Sequence, residues 1–225
     1  DVAASPLLRA KLPGLAHLAG RIGDAQVRNL GTLGGSLAHN DPVADYPAAC
    51  LALKATIVTD RREIAADAYF KGLFETSLDP GELILRVRFP LAEKSAYAKF
   101  PNPASRYAMV GVFVARGGET RVAATGAYQA GVTRIPEFER ALSRNFAPEA
   151  LARLRIASEG LMSDVHADAA YRAQLLPVMA MRASWARSTS LRPSSAARSR
   201  KTASIAAGSD VPAPARRSSR SISRR

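Results

Sequence analysis

The segment GTLGGSLAHNDPVADYP, residues 31–47, combines residue types that suit a nucleotide diphosphate. Such a group needs backbone N–H donors that converge without a Cβ in the way, and glycine allows that approach. The segment supplies three glycines and two hydroxyl donors: Gly31, Gly34, Gly35, Thr32 and Ser36. The residues alone leave two interpretations open, a phosphate-binding loop or a plain turn between a helix and a strand.

Asp45 and Pro47 mark the start of a helix at the end of this segment, because an acidic cap and an early proline favour a helix N-terminus. The acidic start argues against this helix end pointing at a phosphate, so Asp45 suits a ribose hydroxyl or a ring N–H of a ligand better. His39 can hydrogen-bond a ligand or cap the turn, and we favour the turn.

The helical patterns lie at the two ends of the chain. Leucines at spacings of three and four predict a helix or a helix pair over residues 6–19, with Pro13 as a break. Residues 21–42 carry four glycines and no apolar period, which predicts a structured loop. A helix is predicted from Tyr46, and further helical patterns cover residues 136–143, 148–158 and 167–182.

The strand patterns lie between these helices. Residues 55–60 and 62–65 predict a hairpin, and residues 109–115 and 121–128 predict a second antiparallel pair. In residues 82–90 the alternation predicts one buried face, formed by Leu83, Leu85, Val87 and Phe89. Helices and strands in this order predict an α+β fold.

The cysteine and histidine content argues against a metal centre. Cys50 is the single cysteine, so the chain forms no internal disulfide and cannot supply an iron–sulfur cluster. His17, His39 and His166 lack a second ligand at metal-site spacing. The sequence has no apolar run of membrane-spanning length, and the cytoplasm is the expected compartment.

The net charge of +13 is concentrated in the tail. Residues 183–225 carry a net charge of +9, which leaves +4 for the preceding part of the chain. This Ser/Arg-rich tail has few large apolar residues, which predicts a disordered segment. A nucleic-acid-binding function through the tail is one alternative, although the body shows no recognition helix or RNA-binding signature.

Three motifs, QVRNLGTLGGSLAHNDPVADYPAACLALKA, LFETSLDPGELILRVRFP and AYAKFPNPASRYAMVGV, resemble the medium, FAD-binding subunit of the carbon monoxide dehydrogenase and xanthine dehydrogenase family. The resemblance runs from the first helix to Arg182. It implies the second part of a two-part FAD-binding domain of the PCMH type over residues 1–92. A small α+β C-terminal domain with a three-stranded sheet and helices follows over residues 93–182, and then the tail over residues 183–225.

The resemblance also implies roles for individual residues. The T-x-G-G-S motif of the family, which contacts the FAD diphosphate and ribityl region, matches Thr32, Leu33, Gly34, Gly35 and Ser36. The second aspartate of the D-P-x-x-D motif matches Asp45, a FAD ligand. Ile84 matches a position beside the adenine or flavin, and Lys99 matches a residue near the isoalloxazine.

The residues themselves leave plainer interpretations of the last two positions open. Ile84 lies on the polar face of its predicted strand, where it contacts a cofactor or is simply exposed. Lys99 lies between Tyr97 and Phe100, where a solvated lysine at a strand end is equally compatible with the sequence.

Two departures from the family pattern concern the ends of the chain. The family has another diphosphate loop, of the form A-G-G-x-S, and no such segment precedes the T-x-G-G-S motif here. We therefore expect an N-terminally truncated chain that lacks the first subdomain and holds one side of the cofactor. The Ser/Arg/Ala/Pro-rich tail is typical of a shifted reading frame, which we place near Ala183.

The resemblance implies an oxidoreductase subunit that passes electrons through FAD, with no catalytic acid or base and no metal of its own. Molybdopterin and [2Fe–2S] clusters are expected on a large and a small partner subunit, in a dimer of heterotrimers. Neither the membrane nor nucleic acid is an expected partner. A scaffold fragment without bound FAD is the other alternative, and the substrate is not encoded in this subunit.

Overall fold

The computed structural model describes residues 1–185 and 202–207. The helices are α1 (Pro6–Lys11), α2 (Pro13–Gly20), α3 (Ala25–Leu30), α4 (Leu33–His39), α5 (Tyr46–Ala52), α6 (Ala66–Tyr69), α7 (Pro136–Arg144) and α8 (Ala169–Trp185). A single 3-10 turn at Pro148–Leu151 lies between α7 and α8. None of the helices within this described part is both long and apolar enough to cross a bilayer.

The strands are β1 (Thr56–Thr59), β2 (Glu63–Ala65), β3 (Phe70–Gly72), β4 (Glu75–Thr76), β5 (Ile84–Pro90), β6 (Lys94–Pro101), β7 (Ala108–Gly117), β8 (Glu119–Tyr128), β9 (Gly131–Arg134) and β10 (Thr202–Ala206). They form an antiparallel sheet in the order β10-β5-β1-β2, a small β3-β4 pair, and an antiparallel sheet in the order β6-β7-β8-β9. Helices packed on antiparallel sheets make this an α+β fold, which confirms the predicted fold class.

The first hydrophobic core joins helices α1, α2, α4 and α5 to β1 and β5. Leu12, Leu15, Leu37, Ile57 and Phe89 are fully buried in it. The second sheet contributes to the same core through buried residues on one face, among them Tyr97, Phe113, Ala115 and Ala123. The opposite face of the second sheet packs on α7 and α8 and forms a second core around Val112, Phe138, Leu176 and Met179. The second sheet is therefore shared between the two cores.

Several predicted elements are confirmed. Pro13 separates α1 from α2, the β1-β2 hairpin forms, and β7 pairs with β8 around Gly117 and Gly118. The helix at Tyr46 forms with Cys50 buried, and α8 covers most of its predicted span.

Other predictions are wrong. Residues 21–42 hold two helices instead of a loop, because the side chains of Asp24 and Thr32 cap turns too short to show an apolar period. Residues 148–158 form only the 3-10 turn. The second sheet has four strands instead of three, since β9 returns beside β8. Leu83 and Leu85 are 63% and 49% exposed, because the β1-β5 register shifts between Val58 and Thr59.

The predicted disorder of the tail is also wrong where the structure describes it. α8 continues to Trp185, and residues 202–206 form β10, an edge strand on β5. Small and β-branched side chains such as Ala203 and Ile205 allow this pairing, which needs backbone hydrogen bonds more than a core of its own. The basic residues of the tail lie outside the described residues.

Candidate functional site

The T-x-G-G-S segment forms the capped first turn of α4. Thr32 is the N-cap residue with extended backbone angles, and its Oγ1 accepts a hydrogen bond of 2.9 Å from the N–H of Gly35. The N–H of Ser36 donates to the Thr32 carbonyl at 3.1 Å. Leu33 is buried and anchors the turn to the first core. The side chain of Thr32 therefore holds the backbone of Gly35 in place.

Gly34 makes the closest approach to another part of the chain in this turn. Its N–H donates to the Ala207 carbonyl at 2.9 Å. A Cβ at position 34 would lie 2.7 Å from the Ala207 Cβ and 3.0 Å from its carbonyl oxygen, so no larger residue fits. Because Gly34 has no Cβ, an acceptor can approach its backbone N–H, and in this structure the Ala207 carbonyl oxygen occupies that position.

The same residue of the tail connects this turn to β5. The N–H of Ala207 donates to the carbonyl of Leu85 at 3.0 Å, while its own carbonyl accepts from Gly34. Ile84, the first residue of β5, lies opposite Thr59, is half-buried and packs against the first core. The structure therefore brings the GELI segment beside the T-x-G-G-S turn through Ala207.

Asp45 and Lys99 form a buried ion pair. The Nζ of Lys99 lies 3.0 Å from Oδ1 of Asp45, and the two side chains are 1% and 4% exposed. The Tyr97 hydroxyl donates to Oδ1 of Asp45, and the Lys99 ammonium also donates to the carbonyl of Arg21 at 2.8 Å. Two predicted site residues are thus brought together, with their charges directed at each other. The burial of Lys99 excludes the alternative of a solvated lysine at a strand end.

Burial acts on each member of this cluster. It raises the pKa of the Asp45 carboxyl, and the neighbouring Lys99 ammonium opposes that shift. It lowers the pKa of Lys99, which the Asp45 carboxylate opposes in turn. Burial also raises the pKa of Tyr97, so its hydroxyl stays protonated and donates a hydrogen bond to Asp45. The cluster is close to neutral overall, as a buried set of ionisable groups must be.

The D-P-x-x-D loop is held by β8. Thr125 Oγ1 donates to the carbonyls of Pro42 and Ala44 at 2.9 and 2.7 Å, and the N–H of Gly126 donates to the Pro42 carbonyl at 2.8 Å. Gly126 has a φ of +72°, and a Cβ there would lie 2.0 Å from the Ala108 carbonyl. A glycine is required at this bend, which aligns the loop backbone.

Two supporting residues, Glu82 and Tyr97, give no signal in the sequence pattern. The buried Glu82 carboxylate accepts two hydrogen bonds from Arg62, at 3.1 and 2.9 Å, and one from Thr59 at 2.7 Å. These contacts, with that of the Asp79 N–H, hold the pKa of Glu82 at about 2. Glu82 lies in the quoted GELI segment, but hydrophobic alternation carries no information on a buried carboxylate. Tyr97 likewise lies in the AYAKF segment, where only Lys99 stood out.

Residues 1–92 match the family model described as the FAD binding domain in molybdopterin dehydrogenase. The chain is 32% identical over 206 residues to the carbon monoxide dehydrogenase medium chain of Hydrogenophaga pseudoflava, covering 83% of this chain and 72% of that protein. It is 34% identical over 186 residues to the nicotine 6-hydroxylase medium subunit of Paenarthrobacter nicotinovorans, covering 75% and 64%.

Solved structures of related enzymes also match this chain. Carbon monoxide dehydrogenase from Hydrogenophaga pseudoflava, in a form lacking the Mo-pyranopterin moiety, matches with a TM-score of 0.70 and 33% identity, over 84% of this chain and 72% of that one. Quinoline 2-oxidoreductase from Pseudomonas putida 86 matches with a TM-score of 0.68 and 26% identity, over 80% and 68%.

The fold and the matched residues define a flavoprotein subunit of an oxidoreductase. The chain belongs to the FAD-binding medium-subunit family of the molybdenum hydroxylases, as the resemblance predicted.

The residues of the T-x-G-G-S turn fit the cofactor of this family. The Gly34 N–H donates to an oxygen without steric conflict, as its bond to the Ala207 carbonyl shows, and a diphosphate oxygen is an acceptor of the same kind. Asp45 and Lys99 are directed at each other in this structure, so their predicted contacts with FAD stay predictions.

Proposed function

We propose that this chain holds FAD at the T-x-G-G-S turn and serves as the electron-transfer subunit of a molybdenum hydroxylase. The observation that carries the proposal is the geometry at Gly34, where a backbone donor meets an oxygen acceptor at 2.9 Å with no room for a side chain. Membership of the FAD-binding family supports FAD as the ligand.

Each residue of the turn has a defined part in holding the cofactor. Gly34 donates its N–H to the diphosphate, and Ser36 offers its hydroxyl to the same region. Thr32 fixes the turn by capping Gly35, which keeps the donors aligned before the ligand arrives. Leu33 anchors the turn to the core from beneath. When bound, FAD supplies a ring that accepts and releases electrons.

The Asp45–Lys99 cluster positions the segment that follows the turn. The ion pair ties the start of α5 to β6, and Lys99 also ties β6 to the end of α2 through Arg21. In our proposal Lys99 lies near the isoalloxazine edge and Ile84 near the adenine or the ring. Breaking the ion pair would therefore remove a charge and also shift the segment that follows the T-x-G-G-S turn.

The partners follow from the same family. We propose a large molybdenum–pterin subunit and a small [2Fe–2S] subunit, in a dimer of heterotrimers, with electrons leaving through FAD to an external acceptor. Support comes from relatives named as medium chains or subunits of carbon monoxide dehydrogenase and nicotine 6-hydroxylase. The cytoplasm stays the predicted compartment, since the single cysteine is buried and unpaired by any disulfide.

The test compares Gly34→Ala with Gly20→Ala in the full chain. A Cβ at position 20 meets only the Ala3 Cβ at 3.9 Å, so that control leaves the fold and the turn unchanged. The Cβ added at position 34 would lie 3.0 Å from the position that the Ala207 oxygen occupies on the Gly34 N–H, so it would crowd a diphosphate oxygen there as well. We expect Gly34→Ala to raise the Kd for FAD about tenfold or more, since the hydrogen bond to a charged group that is lost contributes about 1.5–3 kcal/mol. Flavin fluorescence titration measures this, and equal Kd values for the two variants would contradict the proposal.

One observation favours a second function, a scaffold subunit without FAD. The Gly34 N–H already donates to the chain's own Ala207 carbonyl. A scaffold subunit would assemble with the large and small subunits and yet show no flavin absorbance after purification of the complex. Flavin absorbance in that purified complex at one FAD per chain would reject this alternative.

A further inference from the structure

Residues 202–207 dock along the open edge of β5 and end on the T-x-G-G-S turn. The pairing is antiparallel and keeps a continuous register from Thr202 opposite Pro90 to Ala206 opposite Arg86. At its end, Ala207 bonds to the backbone of both Leu85 and Gly34. The segment is thus bonded both to the strand that begins in the GELI segment and to the T-x-G-G-S turn.

Side-chain packing accompanies this backbone pairing. Ala203 and Ala207 are 7% and 6% exposed, and Ile205 packs against the first core. The Ala207 methyl fills the space that the missing Cβ of Gly34 leaves open. The segment therefore covers the same face of Gly34 from which an oxygen ligand must approach.

We propose that residues 202–207 act as an internal competitor of FAD at Gly34. The inference rests on the proposed function, because it requires FAD to use that N–H. One N–H cannot serve the Ala207 carbonyl and a diphosphate oxygen with full strength at once. The Ala207 side chain also excludes a diphosphate from the same space, so FAD binds when the segment leaves.

Competition makes the apparent Kd for FAD equal to the Kd of the free turn divided by the fraction of molecules whose T-x-G-G-S turn is free. If the segment is docked in about nine molecules of ten, the apparent Kd for FAD is about tenfold above that of the free turn. Among the residues that the structure describes, β10 is a five-residue edge strand that pairs with β5 alone, so it undocks without opening the sheet beneath it.

A pair of proline substitutions separates docking from other effects of the tail. Antiparallel pairing alternates N–H groups that face the partner with N–H groups that face away. Since the Ala207 N–H bonds to Leu85, the Ile205 N–H faces β5 and the Ser204 N–H faces away. Ile205→Pro therefore breaks the ladder, whereas Ser204→Pro is tolerated at this edge position.

The experiment measures the Kd for FAD of the full chain and both variants by fluorescence titration, with ADP as a second diphosphate probe. Hydrogen exchange at the Gly34 amide reports docking without any cofactor. We expect faster exchange in Ile205→Pro and about tenfold tighter binding of both probes, with Ser204→Pro unchanged. If Ile205→Pro leaves Gly34 protected, a chain ending at Trp185 must show the same gain.

The outcomes separate the two proposals. Equal Kd values in a variant whose Gly34 amide has become exposed would overturn the competition and leave FAD binding at the turn intact. Failure of every variant to bind FAD, with the amide exposed, would instead overturn the proposed function itself.

Discussion

The ammonium of Lys99 on β6 lies 3.0 Å from the carboxylate of Asp45 at the start of α5, and both side chains are almost fully buried. The pair joins two segments that are 54 residues apart in the sequence. It also joins the two domains predicted over residues 1–92 and 93–182. The family resemblance assigns both residues to contacts with FAD. In this structure they contact each other instead.

Removal of one partner of this pair should destabilise the protein strongly. Lys99→Met leaves the Asp45 carboxyl buried without its counter-charge, and we expect a loss of about 3 kcal/mol or more in the free energy of unfolding. Urea denaturation measures the loss, with the exposed Lys71→Met as the control. The double variant Asp45→Asn with Lys99→Met should recover part of it, and additive losses would contradict direct coupling.

The sequence predicted those parts of the fold in which local signals are strong. Pro13 interrupts the leucine pattern, and the glycine pair at 117–118 marks the β7-β8 hairpin, so both appear in the structure. The glycines predict the T-x-G-G-S turn, but not its helical form. Helix α4 has seven residues, which is too few for an apolar period to be visible in the sequence.

The remainder depends on contacts between distant residues. The burial of Lys99 follows from Asp45 and the Arg21 carbonyl, neither of which lies near it in the sequence. The tail strand follows from an unpaired edge on β5, which composition cannot reveal. A polar Ser/Arg-rich segment predicts disorder correctly only when no such edge is available to it.

Glu82 should give the protein an acid-sensitive component of stability. Its pKa lies near 2 in the folded chain against an ordinary value of 4.5, because Arg62, the Asp79 N–H and Thr59 bond to the charged carboxylate. A lowered folded pKa contributes stability that is present above pH 4.5 and is lost as the pH falls toward 2.

Glu82→Gln removes this pH-dependent component. We expect a lower Tm at neutral pH than in the parent chain and a shallower fall of Tm between about pH 5 and pH 2. Calorimetry across that range measures both, with the exposed Glu159→Gln as the control. The assignment would be wrong if the parent and Glu82→Gln lost stability in parallel over the whole range.

Arg172 should be among the most sensitive positions of α8. Its guanidinium is fully buried and donates to the carbonyls of Met109 and Gly126 and to the carboxylate of Asp164. Arg172→Met removes the side-chain donor to both carbonyls and to Oδ2 of Asp164, and we expect a loss of about 3 kcal/mol or more in the free energy of unfolding. The exposed Arg182→Met on the same helix is the control, and chemical denaturation of both variants decides the outcome.

Because Gly126 also holds the Pro42 carbonyl, the loss of Arg172 should reach the D-P-x-x-D loop. Faster hydrogen exchange of the Gly126 amide in Arg172→Met, relative to Arg182→Met, is the expected sign. An unchanged rate at Gly126 would limit the role of Arg172 to the second core.

The two predicted domains should unfold as one unit. Arg121 on β8 donates to the carboxylate of Asp67 at 2.8 and 3.1 Å and to the Leu51 carbonyl at 2.8 Å, so it ties the second sheet to α5 and α6. The first core also includes Phe113 and Ala123, which belong to the second sheet. Residues 1–92 alone would expose the apolar surface that these residues cover.

We therefore expect the isolated segment to lack a cooperative urea transition, whereas the full chain shows a single transition by both circular dichroism and fluorescence. Arg121→Met should lower the stability of the whole chain without splitting that transition. A cooperative transition in the isolated residues 1–92, or two separate transitions in the full chain, would show that the shared core is not needed for folding.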